Sequence, residues 1–562
     1  MKRKMGYGLI AVMLLLSACS SNGSGGGEAT GSAMPSGSEA PAPSGSGSPA
    51  ATGETQDPLG KYETPIEVTT ARSLGSTVTF AEGESLDNNV WYRGYQEDLG
   101  IVLKNEWTVP EGQYGQKMNV SIASGNIPDI VTVDLTQLQK LIESDMIMDL
   151  TDVFEQYASE LTKTTLSMDG GVGWTAATFG GKKMALPSTA SVIDGTQMIW
   201  IREDWLKKVG MDAPKTIDDV WNIAEAFVKQ KPGGQAKTYG LGLGKDIYSG
   251  YGGIGGLAYG FKAYPKAWVE GADGKLAYGS VQPEMKAALA KLQEMFKAGL
   301  IDPEFGVYDA NKVNELITSG QIGMFYGQHW NAFWPLPDGF KNDPEANWMP
   351  YPIVSADGSP ASSLAGNGAV FFYAVKKGAK NPEALVKLMN YSLEKQYGPN
   401  GRDKRFFNNE DTNMNLYAYA AVTAQDPLQN INIYRGVKQA LESKSDAGLS
   451  FDAKDNYENI NKYLAGDEAF WGSYKWSGPE GALSVEDGYD NNGQVTLNGF
   501  LGAPTETMLK KGSTLDTLEL ETFTKIILNA APIDSFDTFV ANWNKLGGEE
   551  ITNEVNEWAA SK

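Results

Sequence analysis

The sequence predicts an α/β protein of two lobes, each a sheet flanked by helices, and three observations carry that prediction. The chain has 562 residues, more than one hydrophobic core accommodates. Residues 66–133 alternate strand-like and helical patterns in β-α-β-α-β order, as expected of a doubly wound lobe. Further strands and helices follow at 184–230 and again at 370–392.

Composition narrows the function. Hydrophobic residues make up 41% of the chain, which fits a soluble globular body, and the formal net charge of -22 argues against a nucleic-acid groove or a polybasic membrane patch. Aromatic residues are plentiful, with 14 Trp, 25 Tyr and 20 Phe, so a binding surface can draw on them after the core is filled. The one cysteine, Cys19, and the one histidine, His329, exclude an internal disulfide framework and a Cys/His metal site. Ser-His-Asp or Cys-His catalysis would depend on His329 alone.

The N-terminus reads as an export signal. Lys2, Arg3 and Lys4 precede an apolar run through Leu16 that is short for a bilayer span and ends in Leu16-Ser17-Ala18-Cys19. That ending resembles the lipobox of bacterial lipoproteins, which implies a signal peptide over 1–18 and a lipid-modified Cys19, with palmitate among the acyl groups. A short transmembrane anchor, or a plain signal peptide with an incidental cysteine, is the alternative. Residues 19–60 are largely Ser, Gly, Ala, Pro and Thr, a flexible linker that cannot recoup ordering entropy.

In the body, Ile66–Arg72, Ile101–Val109 and Ile130–Val133 read as strands, with helices over Trp91–Leu99 and Gln113–Ser124. Ligands of such sheets sit off the carboxyl ends of the strands, which makes the loops around Asp87–Trp91 and Asp134 cleft edges. A strand leads into a helix near Glu203 that Gly210 closes, and Thr216 with Asp219 opens the next helix as a capping box. The Gly-rich run over 239–260 lacks G-x-x-x-x-G-K-[ST], since Asp246 follows Gly244-Lys245, so tight packing is favoured over nucleotide binding. Asp273-Gly274 marks a hairpin, Pro283 opens a helix, and Val370–Val375 is a strand. Residues 408–490 give no traceable path but carry Phe470, Trp471, Tyr474 and Trp476. Near the C-terminus Ser535 caps a helix that Gly547 stops.

The stretch Leu316–Leu336 draws most interest. A helix ends at Ser319-Gly320, an apolar strand follows, and Trp330 and Trp334 then share one side of a short helix that Pro335 helps to end. Two indoles after a strand end make a flat platform, suited to one wall of a ligand cleft.

Several segments together resemble the extracellular solute-binding lipoproteins of bacterial ABC importers, within them the long oligosaccharide-binding type of Gram-positive bacteria. They are the lipobox, ASGNIPDI at 123–130, MALPST at 184–189, IREDWLKKVGMDAPKTIDDV at 201–220, YGSVQPEMKAAL at 278–289, SGQIGMFYGQHW at 319–330 and GAPTETMLKKGSTLDTLELETFTKII at 502–527. The resemblance implies a periplasmic-binding-protein-like fold whose lobes, 61–187 plus about 368–430 and 188–367 plus about 431–562, are joined by hinge crossings. Ala185–Trp200 matches the first crossing, Gly366–Val375 the second and the approach to Gly502 the third. It also implies a sugar-facing aromatic at Trp330. Some long relatives carry a calcium loop before the strand at Tyr239, but KQKPGGQAKTYG offers no carboxylate there, so no metal and no cofactor are expected.

Sugars pair flat aromatics with planar polar groups. On that basis Trp330, Trp334, His329 and Tyr326 are expected at the ligand, with Asp194 and Gln197 from the first crossing. Asn89, Trp91, Trp471 and Trp476 complete the set. For each, core packing or loop capping is the competing reading, and Trp334, against Pro335, is the more structural of the two indoles. The expected function is a monomeric, lipid-anchored receptor on the extracellular face of the cytoplasmic membrane. It would capture an oligosaccharide and hand it to ABC permease subunits, with no catalysis, no nucleic acid and no membrane contact beyond the anchor. A secreted glycan-active hydrolase, which needs two placed carboxylates, and a receptor for peptides or other small solutes stay open.

Overall fold

Ile66–Leu74 (β1) and Ile101–Pro110 (β2) pair in parallel, with a register shift between Thr70 and Ala71. Between them the chain turns through Val90–Gly94 and Tyr95–Leu99, a continuous helical stretch closed by Gly100 at φ 71°. The computed structural model describes residues 56–75, 78–366, 368–398, 402–409 and 414–561. The expected signal peptide, Cys19 and most of the expected linker lie outside the described residues. No helix among the described residues is long and apolar enough to cross a membrane.

Ile130–Val133 (β3) and Leu186–Thr189 (β4) flank Ala369–Val375, which runs antiparallel to both. The parallel pair expected from the β-α-β order is therefore β1–β2, and the central strand of the next sheet returns from far along the chain. A four-stranded sheet follows the order Trp348–Pro352, Met198–Arg202 (β5), Ile322–Gly327, Tyr239–Leu241. Its second strand is antiparallel to both neighbours. The chain thus passes from one sheet to the other between Thr189 and Met198 and returns between Pro352 and Ala369. The two connections touch: Gly366 N–H donates to the Val192 carbonyl at 2.7 Å, and a Cβ on Gly195 would lie 2.5 Å from Gly366 Cα.

Buried side chains gather around these sheets. Around the four-stranded sheet gather its own Trp200 and Trp348, Trp205 and Phe227 from the helices Glu203–Val209 and Ile217–Gln230, and Phe523, Phe539 and Trp543 from the C-terminal helices. Trp91, Tyr95, Leu186, Tyr391 and Val422 fill a second core, and Met118, Val131, Leu138 and Phe372 a third. Each fully buried side chain of this size contributes about 1.5–3 kcal/mol.

Local signals set many boundaries. Thr216 and Asp219 form the capping box of Ile217–Gln230, Gly274 at φ 75° turns the 268–278 hairpin, and Pro283 opens Pro283–Lys297. Two punctuation marks act differently from their expected roles. Pro335 opens the helix Leu336–Asn342 after a 3-10 turn at His329–Ala332. Gly547, at φ 138°, kinks the chain between Ser535–Trp543 and Glu549–Ala560, so the helical path continues. Ser535 is the first helical residue and Asp534 precedes it without a side-chain cap.

The Gly-rich run packs tightly, as expected. A Cβ on Gly256 would sit 2.2 Å from the Tyr326 ring, and Tyr326 is itself fully buried with nowhere to retreat. Gly256→Ala is expected to lower unfolding free energy by about 1–3 kcal/mol, read as a drop in Tm with unchanged helical CD in the folded baseline.

Candidate ligand-binding site

A cavity of ≈1040 Å³ opens beside β1, β4 and the Ala369–Val375 strand. Its walls follow from period-2 alternation: Phe371 and Tyr373 face the cavity, whereas Phe372 and Ala374 point into the core behind. Phe371 is 48% exposed and Tyr417 is 49% exposed, so both lining rings keep a free face.

Polar groups are interleaved with these rings and are held by the fold. Arg72 donates to the Tyr419 and Ala418 carbonyls at 3.1 and 3.3 Å. Arg402 lies 4.0 Å from the Phe407 ring centroid and pairs with Asp452 at 2.7 Å. Asp134 and Gln137 exchange bonds in a capping box at the start of Leu135–Glu143, fixing both at the rim. Gln396 Nε2 donates to Ser392 and Thr423 hydroxyls. Burial pushes the Tyr114 and Tyr397 phenols up to about 12, so both stay protonated at neutral pH and can donate as well as accept. The surface offers flat apolar faces with donors and acceptors in the same plane, which suits a polyhydroxylated ring.

A second aromatic group stands on the turn after Ile322–Gly327. Trp330 and Trp334 stack at 6.0 Å and 25°, with Tyr251 5.1 Å from Trp334. Gln328 fastens this platform to the first connection: its Oε1 accepts from Trp330 Nε1 at 2.7 Å and its Nε2 donates to the Gly195 carbonyl at 2.9 Å. Trp334 is 37% exposed and neighbouring Phe333 51%, while Trp330 is half-buried. Trp334 is thus the more exposed of the two indoles, and the Trp330 indole N–H is already taken by Gln328.

His329 Nδ1 accepts the Trp476 indole N–H at 2.8 Å, and burial lowers the histidine below its ordinary value with Asp194 opposing. Asp194 accepts from Asn430 at 2.8 Å. Gln197 is buried and accepts from Gly256 N–H at 2.8 Å. Trp330, Trp334, His329, Trp476 and Asp194 thus form one neighbourhood, with Tyr326 and Gln197 packed behind it.

Besides Gln197 and Trp476, which are buried in that neighbourhood, four more residues expected at the ligand are interior. Tyr326 is fully buried in its strand, and Trp471 is buried against Phe340 at 5.3 Å. Asn89 uses its side chain completely, accepting from Trp91 and Tyr92 N–H and donating to the Ser85 and Leu86 carbonyls. Trp91 has no exposed surface and donates to the Leu416 carbonyl at 2.9 Å. None of the ten expected residues lines the ≈1040 Å³ cavity. The loop at Asp134 does reach it, as the strand-end rule anticipates. Phe371 was legible from the alternation in AVFFYAV; Tyr417 and Gln429 come from the stretch whose path the sequence did not reveal, and Arg402 lies just before it.

Residues 79–399, more than half of the chain, match the family model described as bacterial extracellular solute-binding protein. The chain belongs to this family. Across most of its length this solute-binding protein is similar to Lipoprotein LipO of Bacillus subtilis (strain 168), at 23% identity over 497 residues, covering 84% of this chain and 89% of the relative. Among solved structures it is similar to the alginate-binding protein AlgQ2 without calcium ion, with TM-score 0.56, 15% identity, and coverage of 90% and 100% of the two chains. It is also similar to the Streptococcus pneumoniae ABC-transporter substrate-binding protein FusA in complex with kestose, with TM-score 0.54, 18% identity, and coverage of 88% and 100%. At these identities the structural likeness establishes the fold, two α/β lobes of the periplasmic-binding-protein type.

Proposed function

We propose that this solute-binding protein captures a carbohydrate, an oligosaccharide, and delivers it to the permease subunits of an ABC importer without transforming it. The observation that carries the reading is the ≈1040 Å³ cavity, whose half-exposed Phe371 and Tyr417 alternate with arginine, amide and phenol groups. Relatives support the solute class: one matched over 41% of this chain is named a fructooligosaccharide ABC transporter substrate-binding protein. Apart from Ser188, Thr189 and Ala190, where the first connection begins, the cavity residues fall within 61–187 and 368–430, which we take as one lobe, and the Trp330–Trp334 platform falls within 188–367 of the other. The platform then forms the opposite wall of the cleft. Lipidation at Cys19 ties a monomer to the outer face of the cytoplasmic membrane through the 19–60 linker.

Calorimetry with a panel of neutral and acidic oligosaccharides, and with peptides, tests the reading. One glycan class is expected to bind with 1:1 stoichiometry and to be recovered intact. Cleavage of the bound glycan would mean a hydrolase, and binding of peptides alone a different receptor. Trp334→Ala is expected to weaken the binding glycan about tenfold, equivalent to about 1.4 kcal/mol, while Tm moves little because the ring is already partly in water.

A further inference from the structure

Two buried glutamates in this protein have opposite surroundings. Glu519, with no exposed surface, accepts from Tyr248 at 2.6 Å, Ser280 at 2.9 Å and Tyr278 at 3.1 Å, and the Lys266 ammonium is 3.5 Å away. Glu486, on the helix Ala482–Asn492 and equally buried, has no hydrogen-bond donor on either oxygen. Its side chain meets Asp194 and His329: one nitrogen or oxygen from each of the three lies within 4.8 Å of the others. Asp194 Oδ2 takes the Asn430 amide, while Oδ1 is buried and unpaired.

No base answers these charges, for neither carboxyl has an ion-pair partner among the described residues. Arg435, on the packed helix Gln429–Ser443, turns to Asp487 and Asp490. Lys438 and Glu442 of that helix are exposed, and Tyr434 donates to the Pro479 carbonyl. Lys475 donates to Asn347 and Met349. Tyr489 donates to the Gln197 carbonyl, Tyr351 lines a surface groove with Glu203 and Glu480, and the Tyr326 hydroxyl is buried without a partner.

His329 cannot supply the balancing charge. An indole N–H only donates, so Nδ1, which accepts it, carries no proton; the ring is neutral with its proton on Nε2. The same bond leaves Nε2 without the lone pair that a metal would need. Two carboxylates so close in a buried site cannot both stay ionised. A proton on Glu486 removes one charge and gives this side chain an O–H to turn toward the unpaired Asp194 Oδ1.

We infer that Glu486 and Asp194 hold a bound proton between them, and that this proton fastens the first inter-sheet connection to the Ala482–Asn492 helix. Asp194 belongs to the turn Ile193–Gly195, between β4 and β5. Losing the proton sets two like charges between that turn and the helix and drives them apart. Burial, with the neighbouring Asp194 second, also holds the Glu486 carboxyl well above the ordinary carboxylate range.

The sign of the pH effect follows. A carboxyl with raised proton affinity in the folded state contributes stability that is complete below its unfolded value, about 4.3, and lost as pH rises through the folded value. The test measures Tm against pH for the full mature chain, for Glu486→Gln and for Asp194→Asn, together with the infrared C=O band of a protonated carboxyl near neutral pH. Glu486→Gln is expected to abolish that band and to flatten the alkaline fall, gaining a few degrees on the wild type at high pH. Asp194→Asn is expected to move the fall to lower pH, and it tests the idea even should Glu486→Gln not fold. A band and pH slope unchanged in both variants would overturn the inference. So would a stoichiometric Zn²⁺, Mn²⁺ or Ca²⁺ that raises wild-type Tm and is lost in Glu486→Gln, which would make the site a metal centre.

Discussion

Trp91→Ala is expected to lower the unfolding free energy by about 4–5 kcal/mol and to leave the affinity of the folded fraction unchanged. The indole has no exposed surface and packs edge-on against Phe406 at 4.8 Å, with Tyr95 and Tyr391 just over 6 Å away. Removing a buried Trp side chain costs about 3–5 kcal/mol through lost transfer and cavity energy, and the lost bond to the Leu416 carbonyl adds about 1 kcal/mol. Trp91→Phe restores much of the packing but not the bond, so its expected loss is smaller, about 1–2 kcal/mol. Urea unfolding gives these values and calorimetry gives the affinity. A Trp91→Ala protein of normal stability and weak binding would return the residue to the ligand.

Replacing both Phe371 and Tyr417 by Ala is expected to weaken glycan binding about 100-fold, with each single change giving about tenfold. Each ring offers its free face to the cavity. Covering about 50 Å² of it with a sugar face contributes about 1.2 kcal/mol at 25 cal/mol/Å², close to the 1.4 kcal/mol of one decade. Stability should change little, because half of each side chain is already hydrated. Titration calorimetry of the two single variants and the double variant separates the outcomes. Affinities within twofold of wild type in all three would remove the cavity from the binding surface.

Local chemistry made much of the fold readable. The Thr216–Asp219 box, the Asp273-Gly274 turn and Pro283 each act within a few residues, so their meaning survives in any tertiary setting. The helix Phe451–Leu464 was hidden because its buried stripe is thin, only Ala453 and Ile460. Among Asn, Asp and Tyr, two apolar positions do not establish a period. The site divides in the same way. The neighbourhood of Trp330 and Asp194 could be located, since an aromatic turn and a polar connection are sequence-local. Which ring faces water could not, because it depends on how the turn folds over Gln328 and on Tyr251 arriving from elsewhere. Asn89 illustrates the opposite error: a polar residue at a strand-helix transition was read as a ligand group, but the helix start consumed all its bonds.

The stacked pair Trp330–Trp334 has an optical consequence. Two indoles 6.0 Å apart and 25° from parallel are close enough for their electronic transitions to couple, which gives a circular-dichroism signature neither ring has alone. Trp334 carries that signature to the surface, where a molecule settling on it alters both the local polarity and the coupling. The protein therefore contains its own chromophoric probe, and occupancy of this wall can be followed spectroscopically without attaching a dye.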